Sequence, residues 1–215
     1  MKLTVAIDGP AGAGKSTVAK LVAQKLGLVV LDTGAMYRAL ALVALREGVQ
    51  DDPHLVTLLA ADLTFVLEGG SVSVEGADVT EAIRTLEVGQ WASKLSTAPE
   101  VREALVAKQQ AIARSGGYVL EGRDVTTVVA PEADIKVFLT ASIEERARRR
   151  WLEMKQTDPT IRLQSVVVDV VERDHRDYSR PHSPLTLAED AHVVESYGLT
   201  PKQVADAIVM LVPSG

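Results

Sequence analysis

Residues Gly9-Pro10-Ala11-Gly12-Ala13-Gly14-Lys15-Ser16 set glycines, a lysine and a hydroxyl at the spacing G-x-x-x-x-G-K-[ST]. This spacing suits phosphate binding. Glycines let the backbone turn so that successive N–H groups converge on one point. A helix that starts at the lysine adds its positive end. Lys15 brings a full charge to the β- and γ-phosphates, and the Ser16 hydroxyl is a ligand for Mg²⁺. Thr17 extends the same turn. The motif needs a strand before it and a helix after it. Leu3–Ile7 and Lys15–Leu26 read as that strand and that helix. The expected ligand is therefore ATP, with Mg²⁺ arriving on it. The motif alone leaves kinase, ATPase and GTPase open.

A second group of residues bears on that choice. Asp32-Thr33-Gly34 follows the strand-like run Val29–Leu31, at the carboxyl edge where parallel sheets bind ligands. Tyr37 and Arg38 come on the first turn of the next helix. They offer a hydroxyl, a ring and a guanidinium to a phosphate-bearing group, the furnishing of a kinase acceptor pocket. The other reading is a helix cap beside a surface arginine. Further on, Arg173, Arg176, Asp177 and Arg180 stand three or four apart, so a helix would put them on one face, and Pro181 and Pro184 end that helix. The run Arg146–Arg150 is basic, with Glu144 and Glu145 spaced to pair with Arg148 and Arg149.

The elements that must position these groups alternate. Apolar strand-like runs occur at Leu3–Ile7, Val29–Leu31, Tyr118–Leu120, Ile135–Leu139 and His192–Val194. Between them lie helical stretches at Lys15–Leu26, Ala35–Arg46, Pro99–Arg114, Ile143–Lys155, Ile161–Asp174 and Pro201–Leu211. This order predicts an α/β fold with a doubly wound parallel sheet of five strands flanked by helices. Leu63–Val79 breaks the pattern. It alternates apolar and polar residues around Gly69-Gly70 and Gly76, which reads as a small antiparallel β insertion. Gln156–Thr160 interrupts two basic helical segments.

The whole chain has 215 residues, 47% hydrophobic and 24% charged, enough for one α/β domain with a modest insertion. A net charge of -6 disfavours nucleic acid as a partner, although a local basic cleft still attracts a small anion. Without cysteine there is no disulfide, thiolate metal site or thiol nucleophile. No leader is recognisable, and the apolar runs are too short to cross a bilayer, so a cytoplasmic enzyme without membrane partners is expected.

The segments Asp8–Thr17, Leu31–Arg38, Ile83–Val88, Val101–Leu105, Glu121–Val129 and Glu172–Leu185 together resemble the bacterial cytidylate kinases, in matching order and spacing over nearly the whole chain. The resemblance implies transfer of the γ-phosphoryl group of ATP to CMP or dCMP by a monomer. It implies that Arg102 faces O2 and N3 of cytosine, while Ser93 and Asp124 face N4. It implies that Arg38 and Arg123 hold the acceptor phosphate with Arg173 nearby, and that Asp177 and Thr33 contact the sugar. Lys15, Arg173 and Arg180 are the expected catalytic cations, and Arg149 joins residues 9–17 at ATP. Residues 1–62 and 85–215 would form the core, residues 63–84 an insertion near the acceptor, and residues from about 148 to 164 a lid. Another P-loop kinase, acting on a sugar, shikimate or a different nucleotide, and an acceptor-independent ATPase module are the competing readings.

Overall fold

A computed structural model describes residues 2–68, 70–156 and 158–213. Gly69 of the expected Gly69-Gly70 turn and Thr157 of the expected lid lie outside the described residues.

Five short strands, β1 (Val5–Asp8), β2 (Val29–Asp32), β6 (Tyr118–Gly122), β7 (Ile135–Thr140) and β8 (His192–Glu195), form a parallel sheet in the order β2-β6-β1-β7-β8. Val5 is in register with both Val119 and Ile135. Successive residues of the central strands point to opposite faces, and both faces are buried. Val5, Ile7 and Val119 face one apolar layer, and Ala6 and Leu120 face the other. Covering both faces makes the three central strands, β1, β6 and β7, read as nearly continuous hydrophobic runs, while the edge strands β2 and β8 are partly exposed. On the first face lie α1 (Lys15–Leu26) and α8 (Pro201–Val209), whose start carries a reciprocal cap between Thr200 and Gln203.

A second apolar core lies away from this sheet. It joins α2 (Thr33–Glu47), α3 (Pro53–Asp62), α4 (Leu86–Leu95) and α5 (Pro99–Ala113) to an antiparallel sheet of β3 (Phe65–Glu68), β4 (Ser71–Val74) and β5 (Ala77–Asp78). The expected small antiparallel insertion is therefore present. The helices α3 and α4 are additional to the sequence expectation, and α2 starts at Thr33, two residues before it.

Two helices close the remaining side. These are α6 (Ile143–Met154) and α7 (Leu163–Ser179), packed through Ala147, Val166, Val170 and Trp151. The Trp151 indole N–H donates to Ile161 O at 3.0 Å. The helix expected to end at Asp174 runs on to Ser179, so it carries Arg173, Arg176 and Asp177, with Arg180 as its C-cap. After β6 the chain makes a π-helical turn, Val125–Val129.

Candidate active site

The phosphate loop leaves β1 and enters α1, as its motif requires. Gly9 passes so close to β7 that a Cβ there would lie 2.0 Å from Leu139 O. Gly12 and Gly14 have φ of 75° and 95°, and a Cβ on Gly12 would meet the Arg146 carbonyl at 2.9 Å. Lys15 is buried under the loop, and its Nζ donates to Gly9 O at 2.7 Å and Pro10 O at 2.8 Å. Burial and the neighbouring Arg123 and Arg173 hold its pKa well below the ordinary lysine value, against the pull of Glu121 and Asp177.

The loop is tied to α6 and α7 at Ala11. Arg146 Nη1 donates to Ala11 O at 2.9 Å and pairs with Asp174 at 2.7 Å, and Asp174 in turn accepts from Ala11 N–H at 3.3 Å. Arg146 is thus a buried clamp. Arg149 bridges Glu145 (2.8 Å), the Ser196 hydroxyl (2.8 Å) and Ser196 O (2.9 Å) beside the loop carbonyl of Ala13. Arg148 lies on the surface and pairs with Glu145, three residues back, rather than with Glu144.

Across the cavity the expected acceptor residues assemble in ion pairs. Asp32 caps α2 by accepting from Ala35 N–H at 2.9 Å, and also pairs with Arg38 at 2.6 Å. The cap reading of Asp32 therefore holds alongside its place at the cavity wall. The Thr33 hydroxyl donates to Glu121 O at 2.7 Å. This contact explains Gly122, where a Cβ would sit 2.4 Å from that hydroxyl. Arg123 Nε donates to Asp177 at 2.6 Å. Burial opposes the charge on each, yet the pair holds Asp177 low and Arg123 high. Arg102 and Asp124 form a fully buried pair, with Arg180 Nη2 3.8 Å from the same carboxylate and the Arg102 guanidinium 5.7 Å from the centre of the Tyr37 ring. Ser93, buried on α4, accepts from Arg176 Nε at 3.1 Å.

Four arginines keep buried donors without a hydrogen-bond partner among the described residues: Arg102 Nε, Arg150 Nε, Arg173 Nε and Arg180 Nη2, together with Tyr37 Oη. An unmet buried donor is costly, and all of these line one cavity, which makes them candidates for holding a ligand. Burial and Arg123 bring Arg173 down to about 10, so it remains cationic at neutral pH. Lys15, Arg38, Arg102, Arg123, Arg173 and Arg180 stand against the carboxylates of Asp32, Glu121, Asp124 and Asp177 around this cavity. The result is a positive cleft in an acidic protein. One cavity of about 1710 Å³ runs from the phosphate loop to this cluster. It is larger than a typical single-ligand pocket, as two nucleotides require.

The cytidylate kinase family model matches residues 5–214. A cytidylate kinase of Solibacter usitatus (strain Ellin6076) is 48% identical over 216 residues, covering 99% of this chain and 93% of the relative. A cytidylate kinase of Desulforamulus reducens (strain ATCC BAA-1160 / DSM 100696 / MI-1) is 48% identical over 215 residues, covering 98% and 97%. This chain belongs to the cytidylate kinase family. The solved structure of an uncharacterized protein from Eubacterium ventriosum ATCC 27560 is similar in fold alone, at 11% identity and a TM-score of 0.53 over 98% of this chain and 97% of that one.

In this cytidylate kinase family chain one further residue enters the site that its spacing did not announce. Glu121, at the end of β6, is buried and hydrogen-bonded by Ser16, with Asp32 and Lys15 nearby. Burial, then Asp32, push its carboxyl up to about 7. Its signal was the acidic residue closing a strand that lies beside the phosphate loop. Among the described residues no group of three His, Cys, Asp or Glu could hold a metal, and no helix is long and apolar enough to cross a membrane.

Proposed function

We propose that this protein transfers the γ-phosphoryl group of ATP to CMP or dCMP, giving ADP and CDP or dCDP. The observation that carries the reading is the single cavity joining the phosphate loop to a cluster of buried arginines with unpartnered donors. Residues 9–17 hold the ATP phosphates, and Arg149 braces the donor side. An oxygen of the CMP phosphate attacks the γ-phosphorus, and the bond from that phosphorus to the β,γ-bridging oxygen breaks. The attacking oxygen is already anionic near neutral pH, so no general base is needed. Lys15, Arg173 and Arg180 meet the charge that develops, and such transfer is mainly positioning and electrostatics.

Mg²⁺ fits the oxygen pair of Ser16 and Glu121, because a buried carboxyl poised near neutrality gains most from an added cation. When bound with ATP, it would neutralise phosphate charge beside Lys15. On the acceptor side, Arg38 and Arg123 hold the phosphate, and Asp177 and Thr33 meet the sugar. Arg102 reads O2 and N3 of cytosine, while Asp124 and Ser93 accept from N4. Asp32 and Tyr37 shape the pocket wall. Uracil would turn a carbonyl toward Asp124 and lose that contact.

Residues 1–62 and 85–215 act as the kinase core, residues 63–84 as an insertion on the acceptor side, and residues from about 148 to 164 as a lid. Within that segment Trp151, Met154 and Ile161 pack together against Ala147, Val166 and Val170 at its base, which supports its closing as one piece about that base. Both half-sites come from one chain, so the protein works as a monomer, in the cytoplasm where ATP and CMP meet. Incubation with CMP and γ-labelled ATP tests the reading. Label in CDP is the expected result; label released only as inorganic phosphate would overturn it.

A further inference from the structure

Asp8 is fully buried at the end of β1, in register with Gly122 on one side and Phe138 on the other. Its carboxylate is spent on one short stretch of chain. Oδ1 accepts from Val125 N–H at 3.0 Å, and Oδ2 accepts from Thr126 N–H at 2.8 Å and the Thr126 hydroxyl at 2.6 Å. Thr126 is itself buried. Val128 and Val129 N–H donate to the carbonyl of Asp124 at 2.8 and 3.1 Å. Asp124 is therefore held on both sides: by its own carbonyl, and through the next two residues by Asp8. The residue after Asp8 is Gly9, the first of the phosphate loop.

We infer that Asp8 is a positioning residue for base selection, fixing the Asp124 carboxylate against Arg102 and indexing the acceptor pocket to the phosphate loop. This rests on the reading of Asp124 as the base contact. Burying a carboxylate at the centre of a sheet is costly unless every lone pair is used. Asp8 offsets that cost with three accepted hydrogen bonds, a set of donors that an amide could not satisfy in full. An Asp8→Asn side chain keeps the shape but turns an NH2 group toward a backbone N–H. The turn at 125–129 then shifts, and with it the Asp124 carboxylate. Thr126→Val removes one of the three hydrogen bonds without adding a donor.

The experiment measures kcat/KM for CMP and for UMP at saturating Mg-ATP in the parent, Asp8→Asn, Thr126→Val and Asp124→Asn, with folding followed by circular dichroism. A general structural defect lowers both substrates alike. A positioning role lowers the CMP-to-UMP ratio, by about tenfold for Asp8→Asn and less for Thr126→Val. If Asp8→Asn does not fold, Thr126→Val decides. An unchanged ratio in both, beside a lowered ratio in Asp124→Asn, overturns the positioning role alone. A lowered ratio in Asp8→Asn without one in Asp124→Asn overturns the route through Asp124. Unchanged ratios in all three overturn the base-reading role of Asp124, and this inference with it.

Discussion

Replacing Asp124 with asparagine leaves the shape of the pocket but removes the carboxylate that lies against both the Arg102 and Arg180 guanidinia. The side chains of Asp124 and Arg102 are 7% and 4% exposed, and Arg180 Nη2 lies 3.8 Å from the other oxygen of Asp124. Water therefore screens little of the loss. Breaking a buried pair on one side costs about 3 kcal/mol in stability even when the new amide keeps one hydrogen bond. The effect on choice of base is separate. A hydrogen bond to a charged group is worth roughly 2 kcal/mol, so losing the preference for the cytosine amino group lowers the CMP-to-UMP ratio of kcat/KM by about 30-fold. The amide can turn its NH2 toward the uracil carbonyl, so UMP gains while CMP loses. Urea unfolding gives the first quantity, and ADP release coupled to a dehydrogenase gives the second. Lost stability with an unchanged ratio would show that Asp124 only partners arginines, and the base-reading argument would fall.

Other consequences follow from the same geometry. Lys15→Ala removes the cation beneath the phosphate loop, and turnover at saturating substrates should fall by at least about 1000-fold; near-normal turnover would contradict the loop's role. Arg180→Ala should lower kcat by about 100-fold while the KM for ATP moves less than about threefold, since it acts on developing charge; a pure binding defect would contradict that. Glu121→Gln tests the buried carboxyl. Its folded pKa of about 7 lies above the ordinary 4.5, so the native state holds the extra proton and stability falls as pH rises between these values. In the absence of nucleotide the variant should be more stable than the parent at pH 8, by at most roughly 3 kcal/mol, and equal to it near pH 4. Parallel stability curves from pH 4 to 8 would refute the shift.

The phosphate loop was legible because its chemistry is written in contiguous residues with a strand and a helix at its flanks. The sheet was legible because strands buried on both faces leave apolar runs such as Ile135–Leu139. The charged residues after Arg173 were legible by helical spacing, although the helix was expected to stop at Asp174. Single residues brought together by strand order were harder. Asp8 and Glu121 meet the site only because β1 and β6 lie side by side in register. Arg146 looks like its basic neighbours, and only the approach of α6 to Ala11 makes it a clamp. Val125–Val129 is β-branched throughout, poor material for any helix, and it turns as it does because Asp8 and the Asp124 carbonyl take its N–H groups. The helix α4 was obscured by Gly89 and by a length of only ten residues. The helix α3 did carry a signal, Asp52 before Pro53, and Asp52 indeed caps it through His54 and Leu55 N–H.

The central claim is that two nucleotides share one cavity and that the acceptor is a cytidine monophosphate. An acceptor panel measures it directly: ADP release from Mg-ATP with CMP, dCMP, UMP, AMP and shikimate, each against a blank without acceptor. Fast release with CMP and dCMP, slow release with UMP, and background rates with AMP, shikimate and the blank are expected. Equal ADP release with and without CMP, or a higher rate with UMP, AMP or shikimate than with CMP and dCMP, would contradict the account.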